Sequence, residues 1–377
     1  MLKISKYRVD KYLLIPIVLF AIISIITIYS AQTLLPSTMQ DLALKQFLWY
    51  LVGFVLAYGI LVIGNDFMLK NAWILYVLGN LSLIGLFFFG KEINEAKCWY
   101  SIPGIGTIQP SEFMKIILIL LIAKLIQEFH KKYTSPTVWE EFIFLLRIVL
   151  IVAIPSILTF LQPDTGVVLI YLLITICMLF ISGIRYRWFI MLFTVLGLTI
   201  GSVLIIYFCS QELFIQIFGT SFFLRVDRLL DWSSGSGFQL QHGITAIGSG
   251  GLLGHGFHHT PIYFPEPQTD FIFAVFASNF GFIGSFLLLA LIIFFDIRLI
   301  ITAMKASNDI DKYIIGGIVG MLIYQQFQNI GMTYGIMPIT GITLPYISYG
   351  GSSLLSYMIM TGIIFHISNK NIRYTNK

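Results

Sequence analysis

The sequence predicts an all-α, polytopic integral membrane protein with about ten transmembrane helices. Hydrophobic residues make up 57% of the 377-residue chain and charged residues only 11%, and the mean hydropathy is +0.88. Soluble domains carry about 25% charged residues, so this composition excludes an ordinary soluble protein. The apolar residues also fall into separate runs of the length that a bilayer-spanning helix needs, about 20 residues.

The ten predicted spans follow one another along the chain. They lie near residues 12–31, 46–64, 71–89, 112–127, 144–161, 166–184, 188–208, 271–295, 313–334 and 345–367. The apolar stretch of the first span is longer than the roughly 7–15 residues of a signal-peptide core, and nine more spans follow it. We therefore expect the first span to be retained as a helix.

The basic residues predict that both termini are cytoplasmic. With this orientation, 17 of the 23 Lys and Arg residues lie in cytoplasmic segments, as the positive-inside rule requires. The six on the outer side are Lys45, Lys91, Lys97, Lys115, Arg225 and Arg228. The net charge of +5 then reflects membrane topology and contact with anionic lipids, and gives no reason to expect a nucleic-acid partner.

One extracytoplasmic loop, residues 209–270 between spans 7 and 8, is much longer than the others. It is rich in glycine, and its FQLQHGITAIG stretch (238–248) has the pattern of a short amphipathic helix lying on the membrane. The cytoplasmic loops are too short for a soluble domain. We therefore expect a single membrane domain over residues 1–377.

Carboxylates at the outer ends of the spans are the main candidates for chemistry. Asp164 in LQPDTG suits a helix N-cap or a functional acid, and Glu112 and Lys115 are spaced to pair along one helix or to face a cavity. Glu266 and Asp270 in PEPQTDF precede an uncharged run of 25 residues. Asp270 either caps span 8 or takes part in the reaction, and the residues alone leave both interpretations open.

Other polar groups are less specific. Trp99 suits an interfacial aromatic belt or stacking on a sugar, and Arg225 and Arg228 have the charge to grip a diphosphate. The Gln and Asn residues of YQQFQN (324–329) either join helices or line a polar path. A Cys98–Cys209 disulfide is conceivable. No standard zinc spacing is present among the outer histidines, which are His242, His255, His258 and His259.

Six motifs together resemble the SEDS family, the RodA, FtsW and SpoVE group of bacterial cell-wall proteins. In chain order they are AKCW (96–99), IQPSEFMK (108–115), LQPDTG (161–166), AIGSGGLLGHG (246–256), PEPQTDFIFAV (265–275) and ITGITLPYISYGGSSL (339–354). They extend over nearly the whole chain and keep the order of the family, which makes the set more specific than any single motif.

The resemblance implies a peptidoglycan glycosyltransferase of the bacterial cytoplasmic membrane. Its substrates would be lipid II and an undecaprenyl-linked glycan, and its partner a class B penicillin-binding transpeptidase. Asp270 would be the essential catalytic carboxylate, acting as the general base, and a divalent cation is one candidate for steadying the diphosphate, although no protein metal motif indicates one. By the same resemblance, Asp164, Glu112, Lys115 and Trp99 would line the same cavity. Further candidates for contact with the substrates are Lys97, Glu266, Arg225 and Arg228.

The chain departs from the family pattern at four places. Cys98 stands where the pattern has Arg, and His242 and Gly243 stand where it has Gln and Ser. Gln268 replaces His, and Asn279 lies in a segment that is usually acidic. Two other functions stay open from the sequence alone: a flippase or transporter for lipid-linked precursors, and a non-catalytic scaffold for a transpeptidase.

Overall fold

The computed structural model describes the chain except residues 1, 5–6, 94–95, 103–105, 221, 224–225, 228–236 and 376–377. The described helices are α1 Lys11–Ala31, α2 Leu42–Ile63, α3 Asn65–Lys70, α4 Ala72–Phe89, α5 Pro110–Lys132, α6 Val138–Leu161, α7 Thr165–Ile181, α8 Arg187–Cys209, α9 Gln211–Phe218, α10 Phe238–Ser249, α11 Ile272–Met304, α12 Asp309–Thr333 and α13 Gly351–Thr375. The described strands are β1 Leu2–Ile4, β2 Tyr7–Val9, β3 Lys91–Ile93, β4 Ala96–Ile102 and β5 Gly106–Ile108. Strands β1 and β2 form an antiparallel hairpin, and β3, β4 and β5 form a small antiparallel sheet.

The protein is a polytopic helical membrane protein. Each of the ten predicted spans corresponds to one long helix, and α10 occupies the predicted amphipathic stretch. Seven helices within the described residues are long and apolar enough to cross a membrane by length and composition, and α7 is a shorter apolar helix. The two remaining long helices, α5 and α12, carry more polar side chains, which are buried against neighbouring helices.

The beginning and the end of the described helices lie at the same end of the bundle. Arg298, near the end of α11, forms an ion pair with Asp10 at the start of α1 (2.8 Å). Asn371, near the end of α13, donates a hydrogen bond to the Thr302 carbonyl of α11 (3.0 Å). The start of α1 and the ends of α11 and α13 therefore share one face, as the predicted topology requires.

Helix α5 is the core of the bundle, and α8 is at its rim. Fifteen of the 23 residues of α5 are buried, and the helix packs against α4, α6, α7, α12 and α13. In α8, by contrast, Tyr207 is the buried residue, and the rest of the helix is largely exposed for contact with lipid. At the base of α8, Trp188 Nε1 donates to the buried carboxylate of Glu141 (2.8 Å).

Helix α11 is broken at Gly281, whose φ of 64° and ψ of −161° are not helical. The glycine-rich loop before it replaces the missing helical hydrogen bonds. The amides of His255 and Gly256 donate to the carbonyls of residues 278 and 279, and those of residues 282 and 283 donate to Gly251 and Leu252. A Cβ at Gly254 or Gly281 would overlap main-chain atoms of the opposite segment.

Two boundaries differ from the predicted spans. Residues 345–350 are irregular, and α13 begins only at Gly351. Helix α11 continues past residue 295 to Met304, so that Asp296 lies inside it, buried and accepting a hydrogen bond from Gln326 (3.2 Å). The predicted span 8, residues 271–295, therefore ended just before an acid that the helix contains.

Candidate active site

Asp270 lies in a turn immediately before α11, and its main chain is fixed by neighbouring segments. The Ser348 hydroxyl donates to the Thr269 carbonyl (2.6 Å), and the Tyr349 amide donates to the Gln268 carbonyl (2.8 Å). The Asn329 amide donates to the carbonyl of Asp270 itself (3.0 Å). The N-cap of α11 is Phe271, which makes no side-chain capping hydrogen bond, so Asp270 does not have the capping role that its position suggested.

The carboxylate of Asp270 is partly buried beside a second acid. Glu266 has a positive φ of 51°, and its carboxylate accepts hydrogen bonds from Gln268 Nε2 and Thr269 Oγ1, both at 2.9 Å. Burial, and then repulsion from Glu266, raise the pKa of Asp270 to about 7. Within the described residues the Asp270 carboxylate has no hydrogen bond or ion pair, and it is therefore available to a ligand.

Asp164 caps the N-terminus of α7 and joins it to α5. Its Oδ1 accepts from the Val167 amide (3.2 Å), and its Oδ2 accepts from Gln109 Nε2 (2.7 Å) and the Ser111 hydroxyl (3.4 Å). Burial raises the pKa of Asp164 to about 6 and outweighs the hydrogen bonds that lower it. The capping interpretation is confirmed, and the same carboxylate also tethers the start of α5.

Glu112 and Lys115 form an ion pair of 2.6 Å one turn into α5. Lys115 is completely buried, and its ammonium lies 5.2 Å from the centre of the Tyr357 ring. A buried charge of this kind requires a partner because desolvation is costly. The pairing interpretation is confirmed, and Lys115 is not exposed for direct contact with a phosphate in this conformation.

The segment 339–343, from the ITGITLP motif, lies between the two aspartates. A Cβ placed on Gly341 would be 3.8 Å from Asp270 Oδ2, and the Thr340 carbonyl faces Gly166 in the first turn of α7. The start of α7 is capped by Asp164. The structure therefore brings Asp270, Asp164 and the start of α5 to one region on the outer side of the bundle.

Strand β4 contributes Cys98 to the edge of this region. The Cys98 thiol donates to the Gln162 carbonyl (2.8 Å). Burial, with a smaller effect of the Asp164 carboxylate, raises its pKa to about 12. Successive strand residues point to opposite faces, so Trp99 and Lys97 point away from the face that carries Cys98. Trp99 is partly buried and Lys97 is exposed, and no described contact brings Lys97 to the acids.

The remaining residues singled out from the sequence are two arginines, Asn279 and the cysteines. Arg225 and Arg228 lie outside the described residues. Asn279 accepts a hydrogen bond from Ser30 and donates to the His259 carbonyl (2.9 Å), so it ties α11 to α1 and to the outer loop. Across the described ranges, no group of three or more His, Cys, Asp or Glu side chains has a metal-binding arrangement. The cysteines are free, and Cys98 is buried whereas Cys209 is exposed.

Tyr357 and Gly341 contact residues of the site but were not predicted to do so from the sequence, and the role of Asn329 was left open. Tyr357 accepts a hydrogen bond from Gln325 Nε2 (3.0 Å), and Asn329 contacts two irregular segments. The polar YQQFQN stretch within an apolar span indicated that Gln325 and Asn329 make polar contacts inside the bundle. Nothing in the sequence indicated which segments they contact, because those partners are 32 and 59 residues away along the chain.

Comparisons with known proteins agree with this architecture. A family model described as "Cell cycle protein", for the FtsW, RodA and SpoVE proteins, matches residues 10–373. Stage V sporulation protein E of Bacillus subtilis is 32% identical, with 97% of this chain and 98% of that protein aligned. Peptidoglycan glycosyltransferase MrdB of Escherichia coli K12 is 30% identical, with 95% and 94% aligned.

Among solved structures, one chain has the same fold over 96% of this chain and 98% of its own length. It comes from "Structural coordination of polymerization and crosslinking by a peptidoglycan synthase complex", with a TM-score of 0.79 and 24% identity. The family match covers nearly the whole sequence, including Asp164, Asp270 and the segment between them. The chain belongs to the FtsW, RodA and SpoVE family of cell cycle proteins.

Proposed function

We propose that the protein is a peptidoglycan glycosyltransferase, which polymerises lipid II into glycan strands at the outer face of the bacterial cytoplasmic membrane. Asp270 is its general base. The observation that carries the proposal is an unpaired carboxylate, partly buried on the outer side of the bundle, with a pKa raised to about 7. A base is most effective when its pKa is near the working pH. Relatives named as peptidoglycan glycosyltransferases support the reaction class.

The reaction joins two lipid-linked sugars. The 4-hydroxyl of one disaccharide attacks the anomeric carbon of the other, a new C–O bond forms, and the bond from that carbon to the diphosphate breaks. Asp270 takes the hydroxyl proton, and the undecaprenyl diphosphate leaves with the electron pair of the broken bond. Both substrates keep their lipid tails in the bilayer, so their sugars lie at the outer interface, on the side where Asp270 lies.

The other predicted residues have supporting roles in this proposal. Asp164 and the Glu112–Lys115 pair shape the wall of the site by joining α5 to α7 and to Tyr357. Glu266 adjusts the basicity of Asp270. Trp99, Lys97, Arg225 and Arg228 are proposed to contact the sugars or the diphosphate as the substrates approach.

We also propose that residues 1–377 act as one membrane domain beside a class B penicillin-binding transpeptidase. Contacts between the first and last thirds of the chain support the single domain, since α13 packs along α2 and α11 packs along α1. A transpeptidase partner is supported by the shared fold with a chain of a peptidoglycan synthase complex.

The test compares the wild-type protein with Asp270→Asn, each purified with its transpeptidase partner and supplied with lipid II. We expect glycan polymer from the wild type and none from the variant. Labelled lipid II in vesicles provides the second measurement. Translocation without polymer would replace the proposal with a flippase, and growth of cells with Asp270→Asn at the wild-type rate would favour a scaffold.

A further inference from the structure

Asn329 of α12 is completely buried, and its side-chain amide contacts two irregular segments at once. Its Nδ2 donates to the Asp270 carbonyl (3.0 Å) and to the Ile342 carbonyl (2.8 Å). These two bonds use both hydrogens of the amide. Neither acceptor lies in a helix or strand, so this side chain supplies hydrogen bonds that regular secondary structure would otherwise provide.

The two segments joined by Asn329 meet at the Asp270 carboxylate. Gly341, next to Ile342, has a positive φ of 71°, and a Cβ there would be 3.8 Å from Asp270 Oδ2. On its other side the segment lies against Gly166 of α7. Its middle residues therefore set the distance between the Asp270 carboxylate and the start of α7.

Other bonds hold the ends of the same segment. Gln328 Nε2 donates to the Pro338 carbonyl (2.7 Å), and the Thr343 hydroxyl lies 3.4 Å from that of Tyr357. Without the Asn329 amide, residues 338 and 343 keep these attachments. What is lost is the link between the middle of the segment and the main chain of Asp270.

We propose that Asn329 is a positioning residue for glycosyl transfer, which holds the main chain of Asp270 against segment 339–343 and so fixes the carboxylate in its reactive position. The inference rests on the proposed role of Asp270 as the general base. Small displacements of a reacting group are costly, because about 1 Å lowers a rate by as much as about 100-fold. Asn329 is completely buried, so we expect its amide to act on the position of Asp270 and to make no contact with the lipid or the sugars.

The test is Asn329→Ala, with Asn80→Ala as the matched control. Asn80 is also a buried asparagine, but its amide donates to the Tyr76 carbonyl within its own helix (2.9 Å). In lipid II polymerisation, we expect Asn329→Ala to lower kcat by about 10- to 100-fold with KM within about twofold. Asn80→Ala is expected to keep kcat. If Asn329→Ala does not fold, Asn329→Ser, whose hydroxyl donates a single hydrogen bond, takes its place.

A double variant tests the route of the effect. Gly341→Ala disturbs the same segment, so Asn329→Ala and Gly341→Ala together are expected to lower kcat no further than the stronger single variant. Fully additive losses, a wild-type kcat for Asn329→Ala, or equal losses in both asparagine variants would each overturn the inference.

Asp270→Asn is measured in parallel. If it still polymerises lipid II at the wild-type rate, the role of Asp270 as general base fails, and the inference on Asn329 fails with it. If it is inactive while Asn329→Ala is normal, the inference on Asn329 fails alone.

Discussion

At the scale of single residues, the two aspartates of the site differ in their hydrogen bonds. Asp164 accepts three, from α7, Gln109 and Ser111, whereas the Asp270 carboxylate accepts none from the described residues. Hydrogen bonds to the charged form lower a carboxyl pKa, and burial raises it. Asp270 therefore has the higher pKa of the two and is better suited to take a proton, while Asp164 is better suited to hold helices together.

The first prediction concerns Glu266, whose charge raises the pKa of Asp270. Glu266→Gln removes that charge, so the pKa of Asp270 should fall and the base should stay ionised to lower pH. We expect the acid limb of the pH profile of polymerisation to move to lower pH. Glu212→Gln, at an exposed carboxylate of α9, is the control and should leave the limb in place. A shift to higher pH in Glu266→Gln would contradict this account.

The second prediction concerns the buried Glu112–Lys115 pair. Lys115→Met leaves the Glu112 carboxylate buried without its cation, which typically destabilises a protein by about 3–5 kcal/mol. The double variant Lys115→Met, Glu112→Gln should regain most of this loss, because no uncompensated charge remains. Unfolding of the detergent-purified proteins measures both. Equal stability of Lys115→Met and the wild type would show that the pair is not structurally important.

At the scale of secondary-structure elements, the break in α11 determines the height of the site. An unbroken helix of 33 residues would be about 50 Å long, well over the roughly 30 Å hydrocarbon core. Residues 282–304 alone provide about 35 Å. We infer that they span the membrane and that residues 272–280 rise above its core, which keeps Asp270 at the level of the lipid headgroups and sugars.

The third prediction tests this break. Gly281→Ala places a Cβ in a left-handed conformation and against the main chain of the glycine-rich loop. We expect a loss of stability of at least about 1–3 kcal/mol, together with faster proteolysis of the loop. Gly197→Ala in α8, where a Cβ meets no atom within 4 Å, is the control and should be close to neutral. Equal stability of both variants would refute the importance of the docked loop.

The sequence predicted these elements unevenly. Composition and apolar runs were sufficient for the ten long helices and for α10, because each is a local pattern. The break at Gly281 was not predicted, since the hydrogen bonds that stabilise it join residues 251–256 to residues 23 to 31 positions later in the chain. In the site, the family motifs identified Asp270 and Asp164. The bonds made by Asn329 depend on how separate segments meet, which one sequence does not specify.

At the scale of the whole molecule, the start of α1 and the ends of α11 and α13 share one face, the predicted cytoplasmic one, and polar groups gather at the opposite, outer end of the bundle. Asp296 of α11 is a buried acid within a span, and its carboxylate accepts a hydrogen bond from Gln326 of α12. A single acid–amide contact provides an interhelical bond, and its energy in a membrane is modest. The architecture therefore suits chemistry on one face of the membrane.

The fourth prediction tests the topology with the native cysteines. Cys209 is exposed at the predicted outer end of α8, whereas Cys98 is buried and its pKa is raised to about 12, which suppresses the reactive thiolate. A membrane-impermeant maleimide added to intact cells without an outer barrier should label the wild type and should not label Cys209→Ser. Labelling that requires lysis of the cells would invert the topology.

The rate of glycosidic bond formation as a function of pH tests the central claim most directly. In a purified complex supplied with lipid II, the wild-type rate should fall as the pH drops below about 7, because protonation removes the base. Asp270→Asn should be slower by at least about 100-fold, the usual range for a lost general base, and without this pH dependence. A variant that forms the bond at the wild-type rate, with the same pH profile, would contradict the account.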